Sequence, residues 1–216
     1  MTDGKGQTMS SKPRKPIENR TIWALVSLAC MSLLVLIWSD WGGLATRIND
    51  ELEPRPAIGG EFSLLGTNGK TVTDKDLIGK PTALFFGYTF CPDVCPTTLY
   101  EATNWLARLG PDGDRIQVFF VTVDPGRDTI EHLSSYMSAF DRRIVGLTGS
   151  HEAVAKTIKA YRVYVERTEG GDEDTYLVNH TASVYLLGKD GQFVDTIAYQ
   201  EHEAKALEKL RYLIRS

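Results

Sequence analysis

The 216-residue chain has only three cysteines, no proline beyond Pro125, no internal repeat and no basic excess, with 24 Lys and Arg against 28 Asp and Glu. Each shortage excludes something. Three cysteines build neither a disulfide-dense scaffold nor a Cys₄ zinc cage. A net charge of −4 leaves no surplus to neutralise phosphates, which excludes a general nucleic-acid binder. Long apolar runs are equally scarce. There is one, so a polytopic membrane protein is excluded as well. What is present is a hydrophobic share of 42%, too high for a disordered chain, and a length that suits one domain plus extras.

The apolar run is Thr21 to Trp38, 18 residues without a charge. As a helix it would span about 27 Å, close to a hydrocarbon core. Trp23, Trp38 and Trp41 mark its ends, where indoles favour the interface. Lys5, Lys12, Arg14, Lys15 and Arg20 precede it; Asp40, Asp50, Glu51 and Glu53 follow it. The positive-inside rule then puts the N-terminus in the cytoplasm and the body outside. The expected organisation is a cytoplasmic tail (1–20), a single transmembrane anchor (21–38), a linker (39–56) and a soluble domain (57–216). A cleaved signal peptide is the rival, with Gly43-Leu44-Ala45 as a weak cleavage site, but its apolar region is usually shorter. Cys30 reads as a small apolar filler, because the run continues well past it. The first 20 residues lack the Arg-rich, acid-poor character of a mitochondrial presequence, so a bacterial inner membrane is expected, with the domain in the periplasm.

In the body, Glu61–Leu65 and Thr71–Thr73 flank a Gly66–Gly69 turn and predict a hairpin. Thr82–Tyr88 and Arg115–Asp124 read as buried strands, and Pro96–Leu109 carries a helical apolar face. Asp128 with Glu131 suggests a capped helix to Phe140, and Ser150 caps another to Lys159. Strands are expected at Tyr161–Glu166, Ala182–Leu187 and Phe193–Tyr199, and a closing helix over Glu201–Ile214. This order describes an α/β mixed sheet covered on both faces. A body of this size needs no disulfide staples, so its two cysteines are free for chemistry.

Those two stand in Gly87-Tyr-Thr-Phe-Cys91-Pro-Asp-Val-Cys95-Pro96, where the first buried strand meets the first long helix. Pro96 disfavours helical backbone at Cys95, which suggests Cys95 as the helix cap. Both thiols then lie near the positive end of the helix dipole, which favours thiolate. Two thiolates suit a soft ion such as Cu(I), zinc with further ligands, or disulfide exchange. A third donor would decide. His132, His151 and His202 read as surface residues, whereas His180 stands on a loop before a central strand and can reach the sheet end. Thioredoxin-like oxidoreductases place a cis-proline there. This chain has no proline available, and His180 occupies that kind of position, which favours metal.

The segments Tyr88-Thr-Phe-Cys91-Pro-Asp-Val-Cys95-Pro96, Val121-Thr-Val-Asp124-Pro-Gly-Arg127-Asp-Thr129 and Asn179-His180-Thr, followed by Tyr185-Leu-Leu-Gly-Lys-Asp-Gly191, resemble the three signature segments of the Sco (SenC) family. The resemblance runs from about Ile58 to the C-terminus. It implies a thioredoxin-like fold with an inserted hairpin, in a membrane-anchored copper protein of cytochrome c oxidase assembly. It also implies one copper ion per chain held by Cys91, Cys95 and His180. The family usually has Asp where Asn179 stands, so an acidic tuning of the imidazole is not expected here. Asp124 reads as an extra donor, a residue supporting the ligands from behind, or a turn residue before Pro125; Arg127 is expected to pair with Asp128 or a nearby acid.

The leading expectation is a metallochaperone serving the copper-accepting subunit of cytochrome c oxidase, with other periplasmic copper chaperones or thiol reductases as further partners. The alternative is a thiol-disulfide oxidoreductase using Cys91 and Cys95 as a redox pair. A peroxidase is disfavoured: Cys95-Pro96 echoes the peroxiredoxin motif, but Pro92 stands where those enzymes place Thr.

Overall fold

The structure is a computed structural model and describes residues 23–36, 58–168 and 175–216. The chain divides into two units, Met1–Arg55 and Pro56–Ser216. In the first, a helix (α1) is described at 23–36, with its side chains exposed. Among the described residues no helix is long and apolar enough to cross a membrane. The remainder of the expected anchor 21–38, the tail 1–20 and the linker 39–56 lie outside the described residues.

The second unit is built on a seven-stranded sheet. Its strands are β1 (Ser63–Gly66), β2 (Thr71–Thr73), β3 (Thr82–Gly87), β4 (Gln117–Thr122), β5 (Ile144–Thr148), β8 (Val184–Leu187) and β9 (Phe193–Ile197), in the order β2-β1-β5-β4-β3-β8-β9. The three central strands β3, β4 and β5 run parallel, and both flanks are antiparallel. Strands β6 (Val165–Arg167) and β7 (Val178–His180) form a separate antiparallel pair. Helices α2 (Val94–Leu109), α3 (Ile130–Met137), α4 (His151–Ala160) and α5 (Glu203–Arg215) flank the sheet; α2 packs on α5 and α3 on β5. Burial explains the centre. Every residue of β3 is buried, and so are Phe119, Phe120 and Val121 of β4, as parallel strands covered on both faces require.

Several expectations shift. β5 does not stand out in the sequence, because Gly146 interrupts its five residues. That glycine is a packing device: a β-carbon there would lie 2.9 Å from Leu133 Cγ and Met137 Cγ, so α3 could not approach. The strand expected at Tyr161–Glu166 yields only the short β6; Tyr161 instead ends α4 and buries its ring. Asp128 does not cap α3. Thr129 does, accepting from the His132 N–H, and the helix stops at Met137. Cys95 is no cap either, since α2 begins at Val94. Pro96 sits in the first turn, where its missing N–H removes no helical hydrogen bond. Ser150 caps α4 as expected.

Candidate metal centre

The parallel pairing of β3 and β4 sets Gly87 beside Thr122, so the loops following both strands open at one end of the sheet. The Val123 N–H donates to the Gly87 carbonyl at 2.8 Å, tying them together. From the first loop come the thiols. Cys91 is half-buried just ahead of α2, and Cys95 is fully buried in its first turn. The Cys95 N–H points at Cys91 Sγ at 3.4 Å, so the open N–H groups of the helix start serve the sulfur. Gly87 makes room. A β-carbon at that position would lie 2.7 Å from Cys95 Sγ and from the Phe120 ring.

The third donor arrives on β7. His180 ends that strand rather than standing on a loop. Its Nδ1 lies 3.0 Å from the Thr181 carbonyl and therefore carries the proton, which leaves the Nε2 lone pair facing Cys95 Sγ at 3.3 Å. The Tyr88 and Phe85 rings pack edge-on against the imidazole, and the Tyr88 hydroxyl accepts from the Val178 N–H at 3.1 Å. Asn179 is exposed, as alternation along the strand demands, so its side chain faces away from the imidazole.

The donor atoms of Cys91, Cys95 and His180 all lie within 4.8 Å of one another. The thiols are electrostatically unequal. The hydrogen bond from Cys95 holds Cys91 down to about 4; burial opposes this, while the N–H groups of Asp93 and Cys95 assist. Burial, with Cys91 beside it, pushes Cys95 far up. The metal-free pair therefore shares one proton, held on Cys95. Two sulfurs and one imidazole nitrogen are a donor set matched to a soft cation.

Asp124 lies outside this cluster. Its Oδ2 accepts from Arg127 Nε at 2.6 Å and its Oδ1 from the Tyr176 hydroxyl at 2.8 Å. Arg127 thus pairs with a nearby acid as expected, and that acid is Asp124. Asp128 went unnoticed in the sequence as a site residue. Its buried carboxylate accepts from the Thr89 hydroxyl (2.6 Å), the Thr89 N–H (3.2 Å) and the Thr122 hydroxyl (2.6 Å), fastening the cysteine loop to β4. Its place beside the Asp124-Pro125 turn was the available signal. Tyr176 had none. The other histidines lie on the surface, where His132 stacks on Phe90 and His202 caps α5.

Residues 50–215 match the family model described as SCO1/SenC. The chain is 40% identical over 163 residues to "Protein SCO2, mitochondrial" of Saccharomyces cerevisiae, covering 74% of this chain and 54% of that one. Its fold is similar to that of Bradyrhizobium japonicum ScoI with copper bound, at a TM-score of 0.68 and 44% identity over 73% of this chain and 99% of that one. It is also similar to yeast Sco1 with copper bound, at a TM-score of 0.68 and 36% identity, covering 74% and 90%. The chain spans about half the length of the curated relatives it matches, from 42% to 58% for four of them.

Proposed function

The chain belongs to the SCO1/SenC family, and on that premise we propose that it carries copper to the dinuclear copper site of cytochrome c oxidase during assembly of that enzyme. Copper is the cargo. Cys91, Cys95 and His180 hold it, with Asp124 supporting the site from behind through its bonds to Arg127 and Tyr176. One observation carries the reading: two sulfurs and an imidazole nitrogen, its lone pair already turned inward, converge within 4.8 Å. Thiolates and neutral imidazole suit Cu(I) better than harder ions. The copper-bound relatives at 44% and 36% identity add support. We place the anchor at 21–38 in a bacterial inner membrane and the domain in the periplasm, from the basic residues before the run and the acidic ones after it. The receiving subunit and any copper donor or thiol reductase would meet the protein there.

The test is a Cu(I) titration of the full chain, reduced and held in detergent, against a competing chelator. One ion per chain is expected, lost in Cys91→Ser and weakened in His180→Ala. Tight binding that survives both substitutions would sink the proposal.

A second reading rests on the unequal thiols. Cys91, a half-exposed thiolate, is a competent nucleophile, and Cys95 can resolve a mixed disulfide. The pair would give two electrons to a substrate disulfide and become a disulfide itself, needing an external dithiol to reset it. Turnover that needs both cysteines but not His180 would favour this reading over the copper carrier.

A further inference from the structure

Arg127 touches both segments that deliver the donor atoms. Its guanidinium carbon lies 4.6 Å from the centre of the Phe90 ring and 3.6 Å from that of Tyr176. Phe90 directly precedes Cys91, and Tyr176 stands four residues before His180. Hydrogen bonds close the arrangement. Arg127 Nε donates to Asp124 Oδ2 at 2.6 Å, Nη1 donates to the Tyr176 carbonyl at 3.0 Å, and the Tyr176 hydroxyl donates to Asp124 Oδ1 at 2.8 Å. The Arg127 and Asp124 side chains are only 11% and 7% exposed, so solvent screens the contact little. Arg167, on β6, stacks on Tyr176 as well, at 3.7 Å.

This contact joins two parts that otherwise meet through the Tyr88 hydroxyl on the Val178 N–H and the Tyr88 and Phe85 rings on His180. The thiols are fixed to the central sheet through β3 and α2. His180 rides on β6–β7, a pair that shares no ladder with that sheet. We propose that Arg127 is a positioning residue, a clasp that sets the imidazole against the two sulfurs by holding Tyr176 and Phe90 together. The inference rests on the copper reading and adds to it: binding strength depends on a side chain that donates nothing to the ion. A planar guanidinium is required, because it must stack on two rings while donating in its own plane. The ammonium of lysine does neither.

The test compares Cu(I) affinities of the reduced full chain, by chelator competition, for wild type, Arg127→Ala, His180→Ala and the double variant. Arg127→Ala is expected to weaken binding by about tenfold or more, the order seen when a group supporting a ligand is removed. The double variant should bind as His180→Ala does, because a clasp acting through the imidazole has nothing left to position. In the Cu(II) form, the nitrogen hyperfine coupling in the EPR spectrum should weaken or become heterogeneous in Arg127→Ala. Arg127→Lys should not rescue either signal. Should Arg127→Ala fail to fold, Arg127→Lys and Tyr176→Phe, each alone and with His180→Ala, carry the same comparison. An Arg127 effect as large without His180 as with it, or unchanged affinity and nitrogen coupling, overturns the clasp. Wild-type binding indifferent to His180→Ala overturns the copper-ligand reading instead, so the two failures are separable.

Discussion

Gly87 and Cys95 share a space that holds one of them only because the other is so small: a β-carbon on residue 87 would come within 2.7 Å of the Cys95 sulfur. The Phe120 ring crowds the same point at 2.7 Å, so neither neighbour can yield without disturbing the sheet or the thiol. Gly87→Ala is expected to cost about 1–3 kcal/mol, the usual penalty for overpacking a tight core. It should also displace Cys95. Urea denaturation and Cu(I) competition would show both losses; wild-type affinity in a folded Gly87→Ala protein would contradict the packing.

The thiols predict a pH dependence. Metal-free Cys91, held down to about 4 chiefly by Cys95, should react with iodoacetamide at a nearly constant rate between about pH 5 and pH 8. Cys95→Ala removes the donor, and the Cys91 profile should then steepen toward that of an ordinary thiol. Labelling in a Cys30→Ser background, read by peptide mass, checks this. A thiol lowered on folding contributes stability fully present above its unfolded value of about 8.5 and lost as pH falls through about 4. Metal-free protein should therefore lose stability on acidification over that window, and Cys95→Ala should lose less.

Asp128 is pushed up by burial although three hydrogen bonds oppose the shift. Asp128→Ala leaves Thr89 and Thr122 without their acceptor and should cost about 2–3 kcal/mol, as expected for bonds to a charged group. A carboxyl raised on folding contributes stability below its unfolded value of about 4, lost as pH rises through its folded value. Wild type should therefore gain on Asp128→Asn as pH falls toward 4. Paired denaturation curves at neutral and acid pH would reveal the crossover, and parallel curves would count against a raised carboxyl.

Tyr88→Phe removes the acceptor of the Val178 N–H while keeping the ring that packs on His180. Leaving that buried N–H unpaired should cost about 1–3 kcal/mol. Amide exchange at Val178 should accelerate more than at Phe120 or Leu186 in the central sheet. Equal acceleration everywhere would mean that the hydroxyl supports the whole domain and not β7 in particular.

The thiol half of the site is legible in the sequence, because strand, cysteines and helix are contiguous and each follows a local rule. The Cys91 loop, the apolar face of α2 and the Ser150 cap can all be read that way. His180 was legible only through its position and its motif, since nothing local tells an imidazole which sheet end it will reach. β5 escaped because Gly146 breaks its apolar run, and the reason for that glycine lies on another element, in Leu133 and Met137. Asp128 resembled a helix cap, since spacing cannot distinguish a carboxylate that caps its own helix from one that turns inward to Thr89 and Thr122. The Arg127–Tyr176 stack brings together residues 49 apart with no periodicity between them.

Cys95 and His180 are 85 residues apart in the chain and meet only when β3, α2 and β7 are all in place. An ion that needs all three donors therefore senses the finished domain and ignores its fragments, and its binding free energy adds to that of folding. Binding then doubles as inspection. A chain with a slipped strand or an undocked β7 lacks the third donor, holds the ion weakly, and gains little protection from proteases on binding it.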